Sequence, residues 1–318
     1  MVTDVSMLEF GYPSWDGKST IHAVVRQPST SDDAKPRGIV QLIHGMSEHI
    51  ERYDAFARFL AAQGFIVCGH DHIGHGHSVS SRDELGHMPP ENGADVLVED
   101  VDTLRYVVSH AFGPDLPYFI FGHSMGSFTL RVYLTRHGAG LAGAIICGTG
   151  QKPQIISLAG NALANLSAKI RGSRAKSDLI HNMADGAFAH AVEGAQTEFD
   201  WISADRSNVE EYIRDDLSGF QFTLGGYAAL TKLTLLAADL ELAKKIPHEL
   251  PLLFVAGAKD PVGDSGEGVK AAAKMMEKAG AQDVEIILYD GMRHEILNEA
   301  DAAVVFEDIL TWIEAVLE

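Results

Sequence analysis

The feature that most limits how this chain can fold is a repeated pattern. A short apolar run ends in glycine, often with a polar residue beside it, and a helix-periodic stretch follows before the next run. Residues 38–43 read Gly-Ile-Val-Gln-Leu-Ile and lead into His44-Gly45. Residues 65–68 lead into Gly69-His70-Asp71, 118–121 into Gly122-His123-Ser124, and 142–147 into Gly148. Residues 252–255 lead into Ala256-Gly257, and 284–289 into Asp290-Gly291. Short apolar runs, several rich in β-branched side chains, are what strands covered on both faces of a parallel sheet require. Between them, Leu97, Val101, Leu104 and Val108 recur at helical spacing, which sets them on one helix face. Residues 53–62 and 302–317 read the same way. The alternating order predicts an α/β protein with a doubly wound, mostly parallel sheet and helices on both faces. Two further strand candidates, 7–10 and 20–26, are expected at an antiparallel edge and bring the sheet to eight strands.

The alternation stops near residue 150 and resumes near Pro251. Residues 151–222 show no strand pattern, and Ile155, Leu158, Ala162, Leu166 and Ile170 recur at helical spacing. This segment is expected to be a helical cap inserted over the sheet, leaving residues 1–150 and 223–318 as the core. An independent second domain is the competing reading. The chain has 318 residues, which suits one large α/β domain with an insertion, or about two domains of ~150 residues.

Composition narrows the partners. With 25 Lys plus Arg against 44 Asp plus Glu, the formal net charge is −19. That argues against gripping nucleic acid through its phosphates and against docking on anionic lipid through a basic face. Cys68 and Cys147 both lie in apolar runs and read as small buried hydrophobes rather than as a disulfide framework. The first ten residues carry no basic residue and no long apolar run, so no signal peptide is expected. No stretch reaches the ~18 apolar residues of a membrane span. A soluble, cytoplasmic protein is the expectation.

Gly122-His123-Ser124-Met125-Gly126 follows one strand run and opens the helical pattern of residues 127–136. In that context G-x-S-x-G describes a serine on a strained strand-to-helix turn, its hydroxyl standing at the C-terminal edge of the sheet. An ordinary glycine-rich turn is the plainer alternative. A serine nucleophile needs a base, and the base needs an orienting carboxylate. Asp260 lies at the end of the run 252–255, and His294 follows the last run in Asp290-Gly291-Met292-Arg293-His294. The order Ser124, Asp260, His294 is the one that accompanies this serine motif. Asp264 and Asp290 are the rival carboxylates.

His44-Gly45-Met46-Ser47-Glu48-His49 follows the first core strand. The loop at that place is expected to give a second oxyanion donor: the Met46 N–H, beside that of Met125. His70, His72, His75 and His77 are interleaved with Asp71, Gly74 and Gly76. A metal site is one reading. A locally hydrogen-bonded structural loop near the rim of the site is the preferred one, because no helix fixes ligand geometry there. No metal and no cofactor are expected.

Taken together, His44-Gly45-Met46-Ser47-Glu48-His49, His70-Asp71-His72-Ile73-Gly74-His75-Gly76-His77-Ser78, Gly122-His123-Ser124-Met125-Gly126 and Gly291-Met292-Arg293-His294 resemble the monoacylglycerol lipase and lysophospholipase group of the α/β-hydrolase superfamily, also grouped as serine aminopeptidase-like hydrolases. Trp201-Ile202-Ser203-Ala204-Asp205, with Val209, Tyr212 and Asp216, resembles that group's cap-end segment. The resemblance spans residues 19–315. It implies Ser124 as nucleophile, Asp260 as acid, His294 as base, and the Met46 and Met125 N–H groups as oxyanion hole. It also implies a cap over an apolar channel for one acyl chain. Ser127 departs from the group, which commonly carries a second glycine there. The expected activity is hydrolysis of a small-molecule carboxylic ester of monoacylglycerol or lysophospholipid type. The alternatives are a small-ester carboxylesterase, a hydrolase of amides, lactones or carbon–carbon bonds, and a non-catalytic binding member of the fold. Transient contact with lipid through the cap is expected; the sequence says nothing of oligomeric state.

Overall fold

The computed structural model describes residues 5–28, 35–184 and 186–318. Eight strands form one sheet: β1 (Val5–Pro13), β2 (Thr20–Pro28), β3 (Ile39–Ile43), β4 (Ile66–His70), β5 (Tyr118–His123), β6 (Gly143–Cys147), β7 (Leu252–Gly257) and β8 (Val284–Tyr289). Their spatial order is β1-β2-β4-β3-β5-β6-β7-β8. Strand β2 pairs antiparallel with both β1 and β4, and every other pairing is parallel. The antiparallel edge expected from residues 7–10 and 20–26 is therefore present, with β1 longer than its apolar run. Strand β1 extends to Pro13 because its partner register with β2 runs unbroken from Val5–Pro28 to Pro13–Thr20.

The helices are α1 (Asp54–Ala62), α2 (Gly93–Phe112), α3 (Met125–His137), α4 (Gln154–Arg171), α5 (Asp178–Ala184), α6 (Gly186–Ala189), α7 (Arg206–Arg214), α8 (Leu224–Ala237), α9 (Leu240–Ala243), α10 (Glu267–Ala279) and α11 (Ala302–Leu317). Two apolar layers flank the sheet. Ile39, Ile43, Tyr118, Ile120, Ala144 and Ile146 point into one layer, with α2, α3, α8 and α10. Val40, Leu42, Phe119, Phe121, Ile145 and Cys147 point into the other, with α1 and α11. Neighbouring residues of a strand face opposite sides, so a strand buried on both sides must be apolar throughout. That is why the runs read as continuous rather than alternating.

Leu97, Val101, Leu104 and Val108 are all buried on α2, as their spacing predicts. Between β6 and β8 the chain places α4 to α9, then β7 and α10. The spacing of Ile155, Leu158, Ala162, Leu166 and Ile170 does mark a helix, α4, but its large apolar side chains do not face the protein. Ile155, Leu158, Leu166 and Ile170 are more than half exposed, whereas Ser157, Ala164 and Ala168 are buried. Helix α4 packs on α8 through its small residues, because these let two helix backbones approach closely. The spacing marks the helix, and the stripe of large apolar residues is its solvent-facing side rather than its packed one. No helix among the described residues is long and apolar enough to cross a membrane.

Candidate active site

Four loops at the C-terminal ends of β3, β5, β7 and β8 converge on one cavity. The β5–α3 turn holds Ser124 at φ 54° and ψ −118°, in the left-handed half of backbone space. Such a conformation costs a non-glycine residue of order 1–3 kcal/mol and persists only where its surroundings enforce it. The surroundings are visible: Ser124 N–H donates to Cys147 O at 3.0 Å, and its carbonyl accepts from Ser127 N at 2.8 Å. Gly126 leaves no room for a Cβ, which would collide with the carbonyls of Ile43 and His44. Ser127, where a glycine was the commoner expectation, is accommodated because its hydroxyl donates to Ser124 O at 2.6 Å.

Asp260 is fully buried at the end of β7, and its Oδ2 lies 2.9 Å from His294 Nδ1. Its other oxygen accepts from Val262 N at 2.9 Å, which fixes the carboxylate plane. Asp264 and Asp290, the rival carboxylates, are exposed, and neither is hydrogen-bonded to His294. The His294 ring and Ser124 both line the cavity. Among the described residues no hydrogen bond joins the Ser124 hydroxyl to the imidazole; such contacts are often long before substrate arrives.

Met46 and Met125 line the same cavity. Met125 opens α3, so its N–H has no intrahelical partner. Among the described residues neither its N–H nor that of Met46 has an acceptor. The β3–α1 loop is pressed against the elbow: a Cβ on Gly45 would lie 3.0 Å from Ser124 Cβ and 2.5 Å from Glu48 Oε1.

Motif reading missed the carboxylate that organises this loop. Glu48 is buried and accepts from Gly45 N, from Tyr53 Oη at 2.8 Å and from His123 Nδ1 at 3.2 Å. Burial pushes its pKa up, but the His123 ring, Arg52 and Tyr53 outweigh burial and hold it down at about 2. An acidic residue in a loop right after a core strand was the available signal. The segment leading to α7 also escaped as a structural partner of His294. Trp201 lies 5.1 Å from the His294 ring, and Glu295 N donates to Ile202 O at 2.7 Å.

In the histidine-rich loop His77 is exposed, and His75 packs against Phe220, a residue of the cavity wall. His44, His70, His72 and His75 are fully buried. His72 N donates to His44 Nε2 at 2.9 Å, and His72 Nε2 lies 3.1 Å from His44 O. Burial pushes all four imidazoles toward the neutral form, His70 and His75 to about 4. Asp71 ties the loop down, accepting from Ile50 N at 2.8 Å and His77 N at 2.7 Å and pairing with His22 Nδ1 at 3.1 Å. Among the described residues no group of three or more His, Cys, Asp or Glu is arranged to hold a metal ion.

The cavity holds about 360 Å³. Ser124 sits in its wall, and Phe128, Ile156, Phe188, Phe199 and Leu230 supply apolar lining. Of the large apolar residues of α4, only Ile156 reaches it.

The model of the serine aminopeptidase S33 family (Hydrolase_4) matches residues 34–301. A monoacylglycerol lipase of Mycolicibacterium smegmatis is 27% identical over 292 residues, covering 88% of this chain and 89% of that protein. The human monoglyceride lipase is 26% identical, covering 87% of this chain and 82% of that protein. Among solved structures, a highly thermostable carboxyl esterase from Bacillus coagulans, in complex with glycerol, superposes with a TM-score of 0.90 at 32% identity, covering 98% of this chain and 99% of that one. The chain thus belongs to the serine aminopeptidase S33 family of α/β hydrolases, and within it is similar to monoglyceride lipases and carboxyl esterases.

Proposed function

We propose that this chain is a serine esterase that hydrolyses the ester of a single acyl chain, of monoacylglycerol or lysophospholipid type, through Ser124, Asp260 and His294. The observation that carries this reading is the buried Asp260–His294 hydrogen bond, which opens onto the same apolar cavity as a strained serine. The carboxylate on Nδ1 leaves Nε2 as the basic nitrogen. His294 takes the Ser124 proton as the hydroxyl attacks the carbonyl, and Asp260 stabilises the imidazolium that forms. The Met46 and Met125 N–H groups receive the oxyanion. His294 then protonates the departing alcohol, and water hydrolyses the acyl-enzyme with His294 again as base.

The acyl chain takes the apolar part of the cavity beneath residues 151–222, which act as a cap on a core of residues 1–150 and 223–318. Each buried methylene contributes about 0.8 kcal/mol. The outward apolar face of α4 meets the lipid dispersion. Lys152, Lys169, Arg171, Arg174 and Lys176 flank that face with no acidic residue among them, so the net charge of the whole chain does not describe it.

A head-to-head assay of monoacylglycerols, lysophosphatidylcholine, acetate esters and aminoacyl amides tests the reading, on wild type and Ser124→Ala. Hydrolysis that rises from short to medium acyl length, lost in Ser124→Ala together with fluorophosphonate labelling, supports it. A maximum at acetate leaves a small-ester carboxylesterase. Activity confined to amides, or labelling that survives Ser124→Ala, overturns it.

A further inference from the structure

Beside Ser124, in the wall of the same cavity, lies a second pair of ionisable side chains that the acyl-transfer steps do not use. His123 is 5% exposed and Glu48 3%. The His123 ring meets oxygens at both nitrogens. Nδ1 lies 2.9 Å from Tyr53 Oη and 3.2 Å from Glu48 Oε1, and Nε2 lies 3.2 Å from the carbonyl of His294. A carbonyl and a carboxylate only accept. The Tyr53 hydroxyl has one proton to share between Glu48 at 2.8 Å and His123 Nδ1 at 2.9 Å; the carboxylate, charged and nearer, is the stronger acceptor, and with the proton there the hydroxyl is an acceptor toward His123. A neutral imidazole has a single N–H and would leave one of these contacts without a proton. An imidazolium satisfies both, and the Glu48 carboxylate supplies its counter-charge.

The pair joins the parts that must meet in the reaction. Glu48 accepts from Gly45 N, the residue before Met46. His123 is the chain neighbour of Ser124 and holds the backbone of His294. The His123 and His294 rings are 4.6 Å apart between centroids. We propose that Glu48 and His123 form a buried, proton-holding ion pair that positions the oxyanion loop, the serine and the base together. Both are positioning residues, since neither touches the reacting atoms. The inference rests on the serine-esterase reading above.

Other charges around the two rings have been assigned to partners. Asp260 holds His294 Nδ1. Glu295, next in the chain, is paired with Arg52 at 2.6 Å and accepts from Asn208 at 2.8 Å. Arg52 also lies 3.8 Å from Glu48 and over the Tyr212 ring. Cys147, beside His123 on β6, has its thiol pushed toward the uncharged form by burial. Trp201 covers His294 from the side of the cap without charge.

Glu48→Gln keeps the shape and the acceptor for Gly45 N–H but removes the charge, so His123 loses its second proton. The test is steady-state kinetics on a soluble nitrophenyl ester. The expected result is a kcat about tenfold lower with a KM within twofold of wild type. Glu48→Asp, which keeps the charge, is expected to recover much of that kcat. In wild type with ¹⁵N-labelled histidine, NMR at pH 7 should show two N–H protons on the His123 ring, a readout independent of whether the variants fold. An unchanged kcat in Glu48→Gln, or a single N–H on His123, overturns the inference. Failure of wild type to label at Ser124 with fluorophosphonate overturns the esterase reading instead, and the NMR count still decides the ion pair.

Discussion

The indole of Trp201 and the imidazole of His294 lie 5.1 Å apart, although they belong to segments separated by α7, α8, α9, β7, α10 and β8. The contact is fastened from both sides. Arg293 Nη1 donates to Asp200 O and Ser203 O, and Glu299 accepts from Arg293 N and Ala204 N. The loop that carries His294 is thus shaped as much by the segment before α7 as by the strand that precedes it.

Trp201→Ala is expected to lower kcat by about 10- to 100-fold, because a displacement of about 1 Å in a positioned group can cost 10². Trp201→Phe should retain most of the activity by keeping a ring over His294. Steady-state kinetics on a soluble ester, with circular dichroism to confirm the fold, measure both.

Gly45→Ala places a methyl 2.5 Å from Glu48 Oε1 and 3.0 Å from Ser124 Cβ. The loop must shift, and the Met46 N–H with it. Loss of one oxyanion donor typically costs about 10² to 10³ in kcat, and a loss of about 10² is expected here with KM little changed. A kcat within threefold of wild type would remove the Met46 N–H from the mechanism.

Arg131 is a buried cation with no carboxylate partner among the described residues. It donates to Thr149 Oγ1, Gly150 O, Gln151 Oε1 and Ala237 O at 2.5–3.3 Å, and burial pushes its pKa down to about 10. It closes the C-terminus of α8, where carbonyls lack intrahelical partners, and ties it to the segment leaving β6. Arg131→Met strips those acceptors, at about 1–3 kcal/mol for each buried group left unpaired. A loss of about 3 kcal/mol in urea unfolding is expected, and Arg131→Lys should not restore it, because an ammonium lacks the planar fork.

Stability should fall on acidification below about pH 6.5. His44, His70, His72 and His75 have folded pKa values depressed by burial, His70 and His75 to about 4. A depressed pKa means that the unfolded chain takes up protons first, so the stability present above the unfolded value is lost as pH falls toward the folded one. Each such histidine contributes a slope of about 1.4 kcal/mol per pH unit in that window. Asp100, raised to about 6 by burial, works in the opposite sense, as do His22, raised by its bond to Asp71, and His123, where Glu48 outweighs burial, but the four buried histidines outnumber them. Urea unfolding at pH 5, 6 and 7 measures the slope; equal stability at pH 5 and 7 would contradict the buried, neutral cluster.

Much of this architecture was legible before any fold was known. The six core strands and α2 were marked by apolar runs and helical spacing, because burying one face or two leaves a periodic trace along the chain. Ser124, Asp260 and His294 were marked by standing where strands end, since that is where loops of such a sheet converge. The outward face of α4 was not legible: periodicity records that one side of a helix differs from the other, and not which side meets a partner. Glu48 and His123 were not legible either. Their pairing depends on two loops meeting across the sheet edge, 75 residues apart in sequence.

The sequence by itself determined the order of strands and helices and the residue types available at each strand end, because local patterning and turn chemistry are written in neighbouring residues. Only the tertiary structure decided which carboxylate reaches His294, which face of α4 is left to solvent and which groups surround His123. Those outcomes depend on distances between segments far apart in the chain, and burial and hydrogen bonding act through such distances.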